Sequence, residues 1–159
     1  MSFHAAQFKR LERAGYNRIG PRYLAAAGAR RELADALQAA ARLAPGQRVL
    51  DLASGPGLLA RSARVQVGDG GLAIASDISE GQLVCCPDLG RVAADGETLP
   101  FADKSFDRVL CGLGLMFFPD ARKTVCGAFC EEVAAFNPDV IAGTATSAVP
   151  WAAWAASCT

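Results

Sequence analysis

The stretch RVLDLASGPGLLA, Arg48 to Ala60, packs an apolar run, one acidic residue, two glycines around a proline and a return to apolar residues into thirteen positions. A short apolar run bounded by Gly and Pro predicts a buried strand over RVLDLA (48–53), and PGLLARSARVQ (56–66) predicts the helix that follows it. Gly55, Gly57 and Ala60 fit GxGxxA. In that pattern the first glycine makes a tight turn, the second lets a ligand approach the backbone, and a small third residue lets helix and strand pack closely.

Working outward, GDGG (68–71) predicts a turn, and LAIASD (72–77), RVAAD (91–95) and FDRVLCGLG (106–114) predict three further strands. Strands separated by helix-length segments imply parallel pairing through right-handed crossovers. The expected fold is α/β: an open, mainly parallel Rossmann-like sheet flanked by helices, with an N-terminal helical segment and an incomplete C-terminal part. RRELADALQAAARLA (30–44) sets Leu33, Leu37, Ala40, Ala41 and Ala44 on one helical face, stopped by Pro45 and Gly46. The residues before Gly28 read as one or two short helices bent at Gly20 and Pro21. A single domain is expected, with a helical cap (1–44), a cofactor-binding core (45–120) and a divergent C-terminal segment (121–159), in which only DVIAGTAT has strand character.

Ligands of open parallel sheets collect beyond the carboxyl ends of the strands where strand order reverses, so the opening stretch lies on the binding edge. Asp77 closes the second strand 20 residues after Gly57, where its carboxylate can accept hydrogen bonds from both ribose hydroxyls. A nucleoside-containing cofactor follows, either a dinucleotide or a nucleoside carrying an amino acid. Asp51 bears on that choice. A pyrophosphate favours free N–H groups with no carboxylate close by, whereas a ligand with an ammonium is attracted to one. The tail of S-adenosylmethionine suits DLASGPG, with Ser54 inside the turn; the alternative for Asp51 is a cap on the turn or helix.

The segment VAADGETLPFADKSFDRVLCGLGLMFFPD (92–120) is more distinctive. With the first two motifs it resembles the class I, Rossmann-like S-adenosylmethionine-dependent methyltransferases, on the branch of the ubiquinone and menaquinone biosynthesis methyltransferases. Asp51, Gly55 and Gly57 match that family's D-x-x-x-G-x-G, with Ala53 where Gly is frequent. The resemblance implies that Ile78 lies against the adenine, that Asp95 bonds the adenine amino group while Ala94 and Gly96 line the ring, and that Cys111 and Gly112 lie beneath the methionine part. It further implies methyl transfer to a small-molecule acceptor by direct displacement, with an N-terminal segment that closes over the cofactor. No catalytic residue is assigned; as a general base, Tyr16 is better placed than His4, the sole histidine. A non-catalytic remnant that binds cofactor, and an NAD-dependent oxidoreductase, are the competing readings.

The chain departs from the family in two places. SEGQLVCCPDLGRVAA (79–94) leaves only about two helical turns before the third strand, which is therefore expected to be strained or displaced. After FFPD only about 40 residues follow, and the expected Pro-Gly-Gly turn is absent, as in a truncated or frame-disrupted copy. An unpaired sheet edge would then favour a homo-oligomer.

Sixteen basic residues balance sixteen acidic ones, so no overall field attracts nucleic acid. No span long enough to cross a bilayer and no secretory leader is seen, and a cytoplasmic location is expected. The cysteines (Cys85, Cys86, Cys111, Cys126, Cys130 and Cys158) lack zinc-site spacing and are expected as free thiols, with no metal bound.

Overall fold

The computed structural model describes residues 4–121 and 124. Four parallel strands, β1 (Arg48–Leu52), β2 (Leu72–Asp77), β3 (Gly90–Ala93) and β4 (Arg108–Leu110), form one sheet in the order β3-β2-β1-β4. The order reverses at β1, so the crevice between the ends of β1 and β4 is the switch point where such sheets take ligands.

β1 is central, and apart from Arg48 all of it is buried. One sheet face packs Val49, Ala73 and Leu110 against Ala34, Leu37 and Ala41 of α2 (Arg31–Ala41) and Leu59, Ala63 and Val67 of α3 (Leu58–Val67). The other face packs Leu50, Leu52 and Val109 against Leu99, Phe101 and Phe106 of the loop before β4. The Phe101 and Phe106 rings meet edge to face, 4.9 Å apart. LPFADKSF is thus a plug that does the work of a helix on that face.

Several expectations change in detail. The N-terminal segment is one continuous helix, α1 (Ala5–Ala25), rather than short helices bent at Gly20 and Pro21. Pro21 cannot bond the carbonyl of Asn17, yet that oxygen sits against Gly81, where an added Cβ would lie 2.4 Å from it. Gly20 likewise meets the Gly81 carbonyl. Two glycines therefore let α1 lie directly on α4 (Glu80–Leu83), where Asn17 Oδ1 accepts from Gly81 N.

α2 ends at Ala41 rather than Ala44, because Arg42 turns left-handed (φ 47°); a separate 3-10 turn, Ala27–Arg30, precedes it. The buried face is Ala34, Leu37, Gln38 and Ala41, while Ala44 is exposed beyond the helix end. β3 is neither strained nor displaced: Gly90 to Ala93 pair in register with Ile74 to Asp77. One helical turn suffices because a further bond, Leu89 N to Cys86 O (3.2 Å), continues the descent. Gly90 also admits the Ile74 side chain, which an added Cβ would meet at 2.5 Å. DVIAGTAT and Cys126, Cys130 and Cys158 lie outside the described residues.

Candidate functional site

The chain leaves β1 through a turn in which Ala53 (φ 54°), Gly55 (φ 54°) and Gly57 (φ 77°) are all left-handed. Glycine takes such angles freely, whereas Ala53 carries a Cβ into them at a cost of about 1 kcal/mol. Two backbone N–H groups, one in this turn and one in the first turn of α3, meet carboxylates. Asp51 accepts from Ala60 N through Oδ2 (2.9 Å), and Asp77 accepts from Gly55 N through Oδ2 (2.8 Å).

Asp51 therefore does cap α3, at the third residue of the helix. Capping uses one oxygen only. Oδ1 is buried with no hydrogen-bond partner among the described residues, and the residue as a whole is 1% exposed. Burial pushes the Asp51 carboxyl up to about 8, against the downward pull of the Ala60 bond. Such an acid is protonated at neutral pH until a cation comes within reach.

Asp77 is filled differently: Oδ1 accepts from Ser79 N (2.8 Å), while burial raises its pKa against these backbone bonds. That bond has a consequence for Gln82. Ser79-x-x-Gln82 has the form of a capping box, in which the glutamine would reach back to the serine N–H. Ser79 Oγ does accept from Gln82 N (3.2 Å), but Asp77 already holds Ser79 N. The Gln82 amide is free to donate to Tyr16 O on α1 (3.0 Å).

Polar contacts fasten α1 over this edge along its length. Lys9 donates to Asp95 (2.6 Å) and Glu97 (2.5 Å), Arg13 pairs with Glu80, and Asn17 Oδ1 accepts from Ser79 Oγ (2.7 Å) and Gly81 N (2.8 Å). The covered space is a cleft of about 760 Å³ including its mouth. Its walls include Ala53, Gly55, Asp77, Ile78, Ala94, Asp95, Gly96 and Gly112, with Lys9, Tyr16 and Tyr23 from α1 and Phe117 and Phe118 after β4. A second cleft of about 550 Å³ adjoins it and takes Asp51, Ser54, Ala53, Gly55 and Gly112 into its wall. Tyr23 lines both clefts, and Tyr16 stands edge-on to Tyr23 and Phe117, 5.6 and 5.5 Å between ring centres. Burial raises the Tyr16 phenol, which makes it a hydrogen-bond donor at neutral pH rather than a base.

Residues 50–129 match the family model described as a methyltransferase domain, half of the chain. The chain belongs to the methyltransferase-domain family. Its relatives include the demethylmenaquinone methyltransferase of Corynebacterium urealyticum, 39% identical over 114 residues, covering 65% of this chain and 48% of that protein. The ubiquinone/menaquinone biosynthesis C-methyltransferase UbiE of Coxiella burnetii is 39% identical over 88 residues, 46% of this chain and 34% of that protein. The chain thus spans at most about half the length of these curated relatives. A SAM-dependent methyltransferase of Aquifex aeolicus shares the fold, with a TM-score of 0.56 and 17% identity over 89% of this chain and 69% of the other.

S-adenosylmethionine, named for the Aquifex aeolicus neighbour, is the group against which the site's residues are tested. The residues present fit it. Three buried polar atoms have no partner among the described residues, Asp51 Oδ1, Ser76 Oγ and Gln82 Oε1, and all three belong to residues that line these clefts. Of the residues expected from the sequence, ten line one cleft or both. Gly57 and Cys111 line neither. Gly57 faces Cys86 and Leu89, where an added Cβ would sit 3.0 and 3.1 Å away, and Cys111 is buried in the core with its thiol pushed up to about 12 by burial and by Asp51. Ser76, Gln82, Lys9, Tyr23 and Arg30 were missed. Only Ser76, next to Asp77, and Gln82, in its capping box, carried a local signal.

No helix among the described residues is long and apolar enough to cross a membrane.

Proposed function

We propose that the protein transfers the methyl group of S-adenosylmethionine to a small-molecule acceptor by direct displacement. The observation that carries this reading is the unpartnered Oδ1 of Asp51, a buried acid beside a glycine turn that calls for a cation. When bound, the cofactor supplies an electrophilic methyl group on a sulfonium.

In this reading Asp51 holds the ammonium of the cofactor, with Ala53, Ser54, Gly55 and Gly112 shaping the methionine end. The spare lone pairs of the Asp77 carboxylate accept from the ribose. Ile78, Ala94, Asp95 and Gly96 enclose the adenine, with Ser76 and Gln82 supplying polar atoms beside them. Gly57 acts indirectly, by setting the turn, and Cys111 by supporting Gly112. α1 excludes water from the cleft through Tyr16 and Tyr23, which strengthens every charge interaction inside. Fixing two reactants in line contributes on the order of 7–11 kcal/mol, so no covalent intermediate is required.

The reading also includes a cytoplasmic setting, in which thiols such as Cys85 and Cys86 stay reduced, no nucleic-acid partner, and self-association along a sheet edge. Size-exclusion chromatography over a concentration series tests the last point; a constant monomer volume removes it. The function itself is tested by calorimetry with S-adenosylmethionine followed by a methyl-transfer assay on quinol-like, sterol-like and other small acceptors. Binding with transfer supports it. Binding without transfer to any acceptor would reduce the protein to a cofactor binder.

A further inference from the structure

Three carboxylates line the cleft beneath α1, and two of them are already engaged. Asp77 accepts from Gly55 N (2.8 Å) and Ser79 N (2.8 Å). Asp95 accepts from Lys9 (2.6 Å) and Glu97 N (3.0 Å). The third is Glu12, half-buried on α1, and among the described residues no hydrogen bond or ion pair engages its side chain. Tyr16 follows it by four residues, a spacing that sets two helical side chains next to each other, and lines the same cleft. The Tyr16 ring stands against Tyr23 and Phe117, while its hydroxyl makes no hydrogen bond among the described residues. Burial, then the neighbouring Tyr23 and Glu12, push that phenol up, so it stays a donor. One helical turn of α1 thus offers the cleft an open acceptor and an open donor. His4, the sole histidine, lines neither cleft.

We propose that Glu12 is the general base of the transfer and that the acceptor presents a hydroxyl group, gripped by Glu12 and Tyr16 together. This rests on the function proposed above and names the acceptor chemistry of the same cleft. A hydroxyl donates and accepts, so it satisfies both groups at once. An ammonium has no lone pair for Tyr16, and a C–H acid meets neither group. The rings of Tyr16, Phe117 and Phe118 suit a flat apolar body behind that hydroxyl. In the step, the acceptor O–H bond breaks and its proton passes to the Glu12 carboxylate, while the oxygen bonds to the methyl carbon. The carbon–sulfur bond breaks with its electron pair left on sulfur, so the products are a methyl ether and a thioether. Glu12, open to solvent on one side, then releases the proton to water.

The test compares the wild type, Glu12→Gln, Glu12→Asp and Tyr16→Phe. Each is assayed with S-adenosylmethionine and para-substituted phenols of graded acidity, from 4-methoxyphenol to 4-nitrophenol, and cofactor affinity is read by calorimetry with S-adenosylhomocysteine. Glu12→Gln keeps an acceptor for the hydroxyl and loses the base. It should lower kcat for 4-methoxyphenol by about a hundredfold or more, with KM and S-adenosylhomocysteine affinity within about threefold of wild type. With 4-nitrophenol, assayed where it is already ionised, the loss should shrink below about tenfold, and Glu12→Asp should fall between Glu12→Gln and wild type throughout. Tyr16→Phe should raise KM for 4-methoxyphenol by about fivefold or more. An equal loss across the phenols, an equal weakening of S-adenosylhomocysteine, or an unchanged KM in Tyr16→Phe would overturn the proposal. A wild type that methylates an amine or a ring carbon but no hydroxyl would overturn it and leave the proposed function standing. A wild type that methylates no acceptor of any kind would remove the proposed function itself.

Discussion

Asp51 holds the N–H of Ala60 with one carboxylate oxygen, at 2.9 Å, and leaves the other buried without a partner. The strand end and the helix start are joined by a group that remains half satisfied. Its folded pKa of about 8 lies far above the ordinary carboxylate value near 3.9. Between those two values the folded state holds a proton that the unfolded state has lost, so stability falls as pH rises from about 4 to 8 and is level above. Asp51→Asn keeps the acceptor for Ala60 and removes this penalty. The ligand-free variant should melt higher than wild type, by about 5 °C or more at pH 8 and by little at pH 4, in thermal denaturation followed across pH.

Ala53 and Gly114 form a second coupled pair. A Cβ built at Gly114 would lie 2.5 Å from that of Ala53 and 2.8 Å from Cys111 Sγ. Gly114→Ala should therefore destabilise by about 1–3 kcal/mol through overpacking. In an Ala53→Gly background the cost should fall by at least about 0.5 kcal/mol, because the nearer methyl group is gone. A double-mutant cycle by urea denaturation measures the coupling; strict additivity would place the two residues apart.

Lys9 clasps α1 to Asp95 and Glu97, and the Glu97 side chain is only 9% exposed. Burial opposes the lysine charge, but the two hydrogen bonds outweigh it and hold its pKa up. Lys9→Met should cost about 1–2 kcal/mol, as expected for an uncompensated, partly buried acid, and should speed proteolysis within α1. Adding Glu97→Gln should recover part of that loss, and Lys9→Arg should behave like wild type. Limited proteolysis with hydrogen exchange over residues 5–25 reads the effect.

The crossing of α1 and α4 depends on two glycines. Gly20→Ala would drive a methyl group into the Gly81 carbonyl at 2.2 Å, and backbone cannot move aside as a side chain can. The variant should lose protection in α1 and bind cofactor more weakly, while the sheet amides exchange as in wild type. Hydrogen exchange resolved along the chain distinguishes this local loosening from global unfolding.

The parts legible in the sequence were those whose physics is local. Val49, Leu50 and Leu52 form a buried apolar run, GDGG demands a turn, and the spacing of Gly57 and Asp77 places the glycine turn and the acid on one sheet edge, where Gly55 N donates to Asp77. Phe101 and Phe106 follow the same local logic, since an apolar residue in a polar loop needs somewhere to go, and both pack into the core. The continuity of α1 was not readable, since Pro21 signals a break and the helix packs against Gly81, sixty residues on. Lys9 and Asp95 stand 86 positions apart, and nothing near either foretells the pair. Arg30 was hidden for the same reason: it shares a wall with Asp51, a relation made by packing rather than by spacing.

The central claim is that Asp51 receives a positively charged amine. Calorimetric titration of S-adenosylhomocysteine at pH 6.5, repeated in buffers of different ionisation enthalpy, counts the protons exchanged on binding. An acid that titrates near 8 when free must ionise to meet the ammonium, so the wild type should release close to one proton per ligand bound, and Asp51→Asn none. Saturable binding with no proton release by the wild type, or no binding at all, would contradict the account.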